Sequence, residues 1–186
     1  MGKRENDTIL SSEIKQKPAT EGSSLGLETG YALKGLKVQR IFTKKDVHPY
    51  EEIEWEQRSA TIQNEKGEII FEQKNIETPK SWSQTATNIV ASKYFHGKLN
   101  TPDREVSIKQ LINRVVQTIT NWGIKGHYLS SLEDAENFSS ELTYILVTQR
   151  ASFNSPVWFN VGIEDKPQCS ACFINAVEDN MGSILD

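Results

Sequence analysis

Cysteine and histidine are both scarce in this chain: its 186 residues hold two cysteines and three histidines. No apolar run approaches the roughly 18 residues that a membrane-spanning helix needs. The opening MGKRENDTIL has basic residues but no apolar stretch behind them, so no secretory signal is read there. Positive charge is not in excess. The net charge is −4, and without a Lys/Arg cluster no direct nucleic-acid binding is expected. Two cysteines without a secretory signal point to a reducing compartment, the cytoplasm by default. There, thiols are catalytic, metal-bound or simply buried.

Composition divides what is present. Residues 1–34 are rich in Lys, Glu, Ser, Thr and Gly. A stretch such as SSEIKQKPATEGSSLG cannot bury enough apolar surface to offset chain entropy, so a disordered tail is expected, with a docking segment as its functional alternative. Residues 35–80 read as a small β-rich segment. KGLKVQRIFT alternates apolar and polar residues as a strand would. EIEWEQRSATI does the same, with Ile53 and Trp55 on one face. NEKG is a turn and EIIFEQ the return strand, giving a hairpin over residues 53–72. The acidic run Glu51, Glu52, Glu54 and Glu56 is read as a solvated strand face. Hard-metal sites usually gather carboxylates from several elements.

Residues 81–151 read as a helical domain. The first helix is expected from Trp82 to Tyr94, capped by Ser81 and followed by Gly97. A second opens at Thr101 and Pro102, carries the stripe Leu111, Val115, Ile119 and Trp122, and stops at Gly123. A third opens on the capping box Ser130–Glu133, buries Ala135, Phe138, Leu142 and Ile145, and ends near Arg150. Residues 152–186 differ in composition, with the aromatic and Asn-rich ASFNSPVWFNVG, a charged loop IEDKPQ and then the strand-like ACFINAV. The fold class is α+β, a small hairpin sheet with a helical domain, followed by the first strand of a new α/β unit.

Both cysteines fall in PQCSACFINAVEDN, spaced C-x-x-C as Cys169 and Cys172. Zinc would need two of His48, His96 and His127 as further ligands, but these lie in three different elements and are read as surface or capping residues. A thioredoxin-like pair would sit at a helix N-terminus, whereas the residues after Cys172 are strand-like. A third reading puts Cys172 on a buried strand facing an active site, with Cys169 incidental. Two inert buried thiols remain the structural alternative.

Four segments in this order and spacing resemble the N-terminal part of the adenosylcobalamin-dependent, class II ribonucleotide reductases: GLKVQRIFT, FEQKNIETPKSWSQTATNIVASKYFHG, ELTYILVTQRASFNSPVWFNVG and PQCSACFINAVEDNMGSIL. The resemblance implies that the last segment begins a ten-stranded α/β barrel. It also implies reduction of ribonucleoside di- or triphosphates to deoxyribonucleotides for DNA synthesis by thiyl-radical chemistry, with the cofactor supplying the radical. Cys172 matches one member of the redox pair that becomes a disulfide. Ala171 matches a residue lining the substrate nucleotide, and Ser155 matches a hydroxyl that contacts it. Asp179 matches a contact to a nucleoside triphosphate effector, with Met181 near the same place. The expected partners are the ribonucleotide, the effector and an external dithiol reductant.

Such enzymes are much longer. The resemblance implies that the thiyl cysteine, the partner of Cys172 and the cobalamin cleft follow the point where this sequence stops. The expectation is therefore an N-terminal piece, its barrel truncated after one strand, inactive until the remaining barrel is supplied. Cys169 is a poor redox partner if the segment is a strand, because residues three apart then face opposite sides. The alternative is a non-catalytic nucleotide-binding module that regulates a full-length reductase.

Overall fold

The computed structural model describes residues 35–174 and 176–185. The tail expected over residues 1–34 lies outside them. The architecture is α+β, with a two-stranded antiparallel sheet and five helices among the described residues.

The hairpin forms as its alternation requires. Strand β1 (Trp55–Gln63) pairs with β2 (Ile69–Pro79), Trp55 opposite Pro79 and Gln63 opposite Ile69. In the connecting turn the Asn64 side-chain oxygen accepts from the N–H groups of Lys66 and Glu68, and Gly67 takes φ +81°. The return strand runs on past the expected Gln73 to Pro79. A register shift between Arg58 and Ala60 accommodates the longer strand, with Asn75 in the left-handed region. Ala60, Ile76 and Thr78 are fully buried beneath the helices.

Helix α1 (Gln84–Lys93) is capped by Ser83, whose hydroxyl accepts from the Ala86 N–H at 3.0 Å, and not by Ser81. Helix α2 (Ile108–Lys125) starts six residues beyond the expected Pro102, with Ser107 as its cap, and runs through Gly123 to Gly126. Tertiary contacts cause the late start. The Arg104 guanidinium turns back to the carbonyls of Ala91, Phe95 and Gly97, closing the end of α1. Residues 105–107 then run beside β2, where the Glu77 N–H donates to the Val106 carbonyl. Helix α3 (Leu132–Val147) is capped by Ser131, one residue later than the expected box, its hydroxyl accepting from the Asp134 N–H and donating to the Asp134 carboxylate. Two short helices follow, α4 (Ser155–Asn160) and α5 (Met181–Leu185).

Two expected strands do not form among the described residues. GLKVQRIFT makes a single bridge, Leu36 to Leu129, and otherwise lies along α3 as an extended strap. A helix has no backbone groups to offer a strand, so its side chains substitute. Asp134 accepts from the Val38 N–H at 2.8 Å, Asn137 donates to the Val38 carbonyl at 2.9 Å, and Glu141 accepts from the N–H groups of Phe42 and Thr43 and from the Thr43 hydroxyl. ACFINAV is not a strand over its described residues; Phe173, Ile174 and Val177 are exposed. A central parallel strand takes hydrogen bonds from both neighbours, and among the described residues none lies beside it.

The core gathers Ile76, Trp82, Ile112, Val115, Val147 and Trp158. At its edge Arg114 pairs with Glu105 at 2.8 Å, both side chains about a tenth exposed. Removing one partner of a buried pair strands the other charge. Arg114→Met should therefore cost about 3–5 kcal/mol of stability by urea denaturation, and the double change Arg114→Met/Glu105→Leu should recover part of it.

Glu141 ties the strap to acid stability. Burial pushes its carboxyl up, but the bonds from Thr43 and Phe42 outweigh this and hold it below the ordinary carboxylate range. A carboxyl lowered on folding stabilises the fold above its unfolded value and loses that contribution as pH falls through the folded one. Glu141→Gln should therefore be less stable than the wild type at neutral pH, with the gap in urea midpoint closing below about pH 4.5.

Candidate functional site

Helix α4 is the scaffold of the candidate site. Pro156 occupies its first turn, where a missing N–H is harmless, and Val157 and Trp158 are buried. The Trp158 indole N–H donates to the Phe153 carbonyl at 3.1 Å, locking the approach to the helix. At the far end Arg114 donates to the carbonyls of Trp158 at 3.1 Å and Val161 at 2.8 Å. Gly162 follows with φ +78°, and a Cβ there would stand 2.6 Å from the Arg114 side chain, so glycine is required on two counts.

Two asparagines, one capping the start of this helix and one its last residue, hold the segment that leads to the cysteines. Asn154 donates to the Cys169 carbonyl at 3.0 Å, and Asn160 donates to the Gln168 carbonyl at 2.7 Å. The Ser155 hydroxyl, on the first turn of the same helix, lies 3.0 Å from the Tyr94 hydroxyl. Tyr94 is the C-terminal cap of α1, and its ring stacks on Phe159 with centroids 5.1 Å apart. Beneath it an apolar cavity of about 290 Å³ opens between Trp82, Leu146, Phe153 and Trp158, with Gln149 at the rim.

The structure thus brings Ser155 and the peptide of Cys169 onto one support. It does not bring the other expected residues to them. Ala171 and Cys172 are exposed beyond the last asparagine contact. Asp179 lies in the turn before α5 and Met181 begins that helix. This turn is built by Asn180, whose side chain accepts from the Ser183 N–H at 2.9 Å. Both thiols are free. Cys169 is half-buried against the core, with its Sγ 3.7 Å from the Pro167 carbonyl. With no strand present, alternation does not separate the two cysteines; burial does.

Among the described residues no group of three His, Cys, Asp or Glu side chains is placed to hold a metal ion. His48 caps the short turn Pro49–Glu52, its Nδ1 accepting from the Tyr50 N–H at 3.2 Å. Of the acidic run, Glu52 pairs with Lys44, Glu54 with Lys80 and Glu56 with Arg58. The residues that sequence reasoning missed are Tyr94, Arg114, Asn154 and Asn160. Only the asparagines left a trace, as the matched ends of NSPVWFN.

A family model described as class II vitamin B12-dependent ribonucleotide reductase matches residues 56–149, the hairpin and the three long helices. The vitamin B12-dependent ribonucleotide reductase of Streptomyces avermitilis is 52% identical over 158 residues, covering 84% of this chain and 16% of its own length. That of Streptomyces coelicolor is 49% identical over 175 residues, 94% of this chain and 18% of its own. That of Rhodopirellula baltica is 41% identical over 181 residues, 81% and 17%. The chain spans less than a fifth of the length of these relatives.

Exposure separates the thiols chemically. With a disulfide reagent Cys172 should react in a fast phase and Cys169 in a slow one, assigned by Cys→Ser variants. Asn154→Ala, by loosening the Cys169 peptide, should speed the slow phase by about fivefold, the worth of one net hydrogen bond, and leave the fast phase alone. Equal rates for the two thiols in the unaltered chain would contradict the placement.

Proposed function

The chain belongs to the class II, vitamin B12-dependent ribonucleotide reductase family, and from that premise we propose that it forms the N-terminal part of a cytoplasmic enzyme that reduces ribonucleoside di- or triphosphates to deoxyribonucleotides. The observation that carries the residue roles is the grip of α4 on the cysteine segment. One helix carries Ser155 on its first turn, and its flanking Asn154 holds the peptide three residues before Cys172. Contact with the substrate and delivery of electrons to it then share a support.

In this reading the Ser155 hydroxyl donates to a substrate oxygen and Ala171 lies against the nucleotide. Cys172 and a second thiol outside this chain give up two electrons and two protons on forming one disulfide, as the ribose 2′-hydroxyl leaves as water. An external dithiol returns the pair to its reduced form. Asp179 accepts from a sugar hydroxyl of the nucleoside triphosphate effector, with Met181 beside it. In this reading the partner of Cys172 is not Cys169, which is half-buried against the core with its peptide held by Asn154. By the same reading the adenosylcobalamin site is not within this chain: the cavity under Tyr94 is far smaller than a corrin, and no histidine lines it. The names of the relatives favour the enzyme over a regulatory nucleotide-binding module. No described helix is long and apolar enough to cross a membrane.

The span tested alone, with adenosylcobalamin, a dithiol and a ribonucleoside triphosphate, should yield no deoxynucleotide; measurable turnover would overturn the assignment of the remaining machinery to other sequence. In a full reductase carrying this region, Cys172→Ser should abolish turnover with a dithiol reductant, while Cys169→Ser should keep most of it. The reverse ranking would exchange the two roles.

A further inference from the structure

A serine hydroxyl has one proton and two lone pairs. In the folded chain the Ser155 oxygen faces the Tyr94 hydroxyl at 3.0 Å, and either oxygen is able to donate in that contact. The two polarities have different consequences. If Ser155 donates to the phenol, its only proton is used inside the protein. If the phenol donates to Ser155, the serine proton is released to point elsewhere. The oxygens of an ionised phosphate accept and do not donate. Only the second polarity allows Ser155 to serve such an oxygen.

We propose that Tyr94 is the positioning residue of the substrate-contacting hydroxyl: the phenol donates to Ser155 Oγ and so turns the serine proton outward, towards an acceptor on the substrate. The proposal rests on the reading of Ser155 as a substrate contact. Tyr94 is suited to this because its own position does not depend on Ser155. Its backbone N–H closes α1 on the Val90 carbonyl, its carbonyl accepts from Arg114 at 3.4 Å, and its ring is stacked on Phe159. The phenol therefore sits at the end of one helix and the serine at the start of another, with Arg114 bonded to both helices. A hydroxyl held in this way loses less rotational freedom when it meets its acceptor than one left to turn.

The test uses a full reductase carrying this region. Tyr94→Phe removes the donor and retains the ring. It should raise KM for the ribonucleotide by about three- to tenfold, the worth of one hydrogen bond, with kcat changed less than twofold. Ser155→Ala should raise KM similarly, and the double variant should be no worse than the weaker single one, because both changes remove one interaction. A KM rise in Ser155→Ala without one in Tyr94→Phe would overturn the role of Tyr94 and leave Ser155 as a contact. No rise in either would overturn the reading of Ser155 and this proposal with it. Additive losses, or a fall in kcat and Tm with KM unchanged, would make Tyr94 structural and sink the proposal. In the chain alone, Tyr94→Phe should shift the amide resonances of Ser155 and Val157 while those of β1 stay in place; silence at Ser155 would show that the hydroxyls do not meet.

Discussion

The helical layer is organised around one guanidinium. Arg114 sends its Nε to Glu105, one terminal nitrogen to the carbonyls of Trp158 and Val161, and the other to Glu105 and the Tyr94 carbonyl. These partners belong to the end of α1, the loop before α2 and the end of α4. A helix terminus leaves its last carbonyls without intrahelical donors and carries partial negative charge. Two such termini would repel if brought together bare. A cation with five donors in a planar fork satisfies both at once, and Glu105 neutralises it, so the burial of this charge is tolerable. Glu105 also accepts from the His96 N–H at 2.8 Å, and Arg104 beside it closes α1 by its other carbonyls. The geometry at Tyr94 and Ser155 follows from this convergence.

The same economy recurs where backbone groups would otherwise be left without partners. Among the described residues no third strand pairs with the outer edge of β1, yet Gln84 donates to the Ser59 carbonyl and Asn88 accepts from the Thr61 N–H, both from α1. The strap over residues 36–43 is held by Asp134, Asn137 and Glu141, which recur at three and four along one face of α3. Asn154 and Asn160 do this for the peptides of Cys169 and Gln168. Side chains that sequence patterning assigns to a solvated face are here bonding extended backbone. Such contacts are specific, because each asparagine or carboxylate must meet one particular peptide group.

That substitution sets what was legible in the sequence. The hairpin and the three long helices could be read because alternation and the 3.6-residue period are local properties of Trp55–Pro79, Gln84–Lys93, Ile108–Lys125 and Leu132–Val147. Their ends were less legible. Thr101 and Pro102 have the chemistry of a helix start, but Arg104 and Glu105 are drawn to partners seven or more residues away, further than a capping pattern reaches. The strap has the alternation of a strand because one side faces the protein, but that pattern does not tell a helix neighbour from a strand neighbour. At the candidate site, family resemblance named Ser155 and Cys172. Tyr94 and Arg114 could not be found that way, since their partners lie 61 and 44 residues along the chain.

The C-x-x-C spacing invites treating its two thiols as one unit, and the fold argues against it. Cys169 is fixed twice, by packing of its side chain and by the bond from Asn154 to its carbonyl. Cys172 lies past the last such bond, with its neighbours Ala171, Phe173 and Ile174 exposed. Under the role proposed for it, Cys172 meets one sulfur to form a disulfide and another to be reduced, which needs access from two directions. It also needs a defined approach, since a disulfide tolerates only a narrow range of Cβ separations. Anchoring the chain three residues upstream supplies the approach without restricting the access. The first cysteine then belongs to the scaffold together with Asn154 and Asn160, and the second is what the scaffold presents. In that arrangement the spacing measures the length of chain between an anchored cysteine and an exposed one.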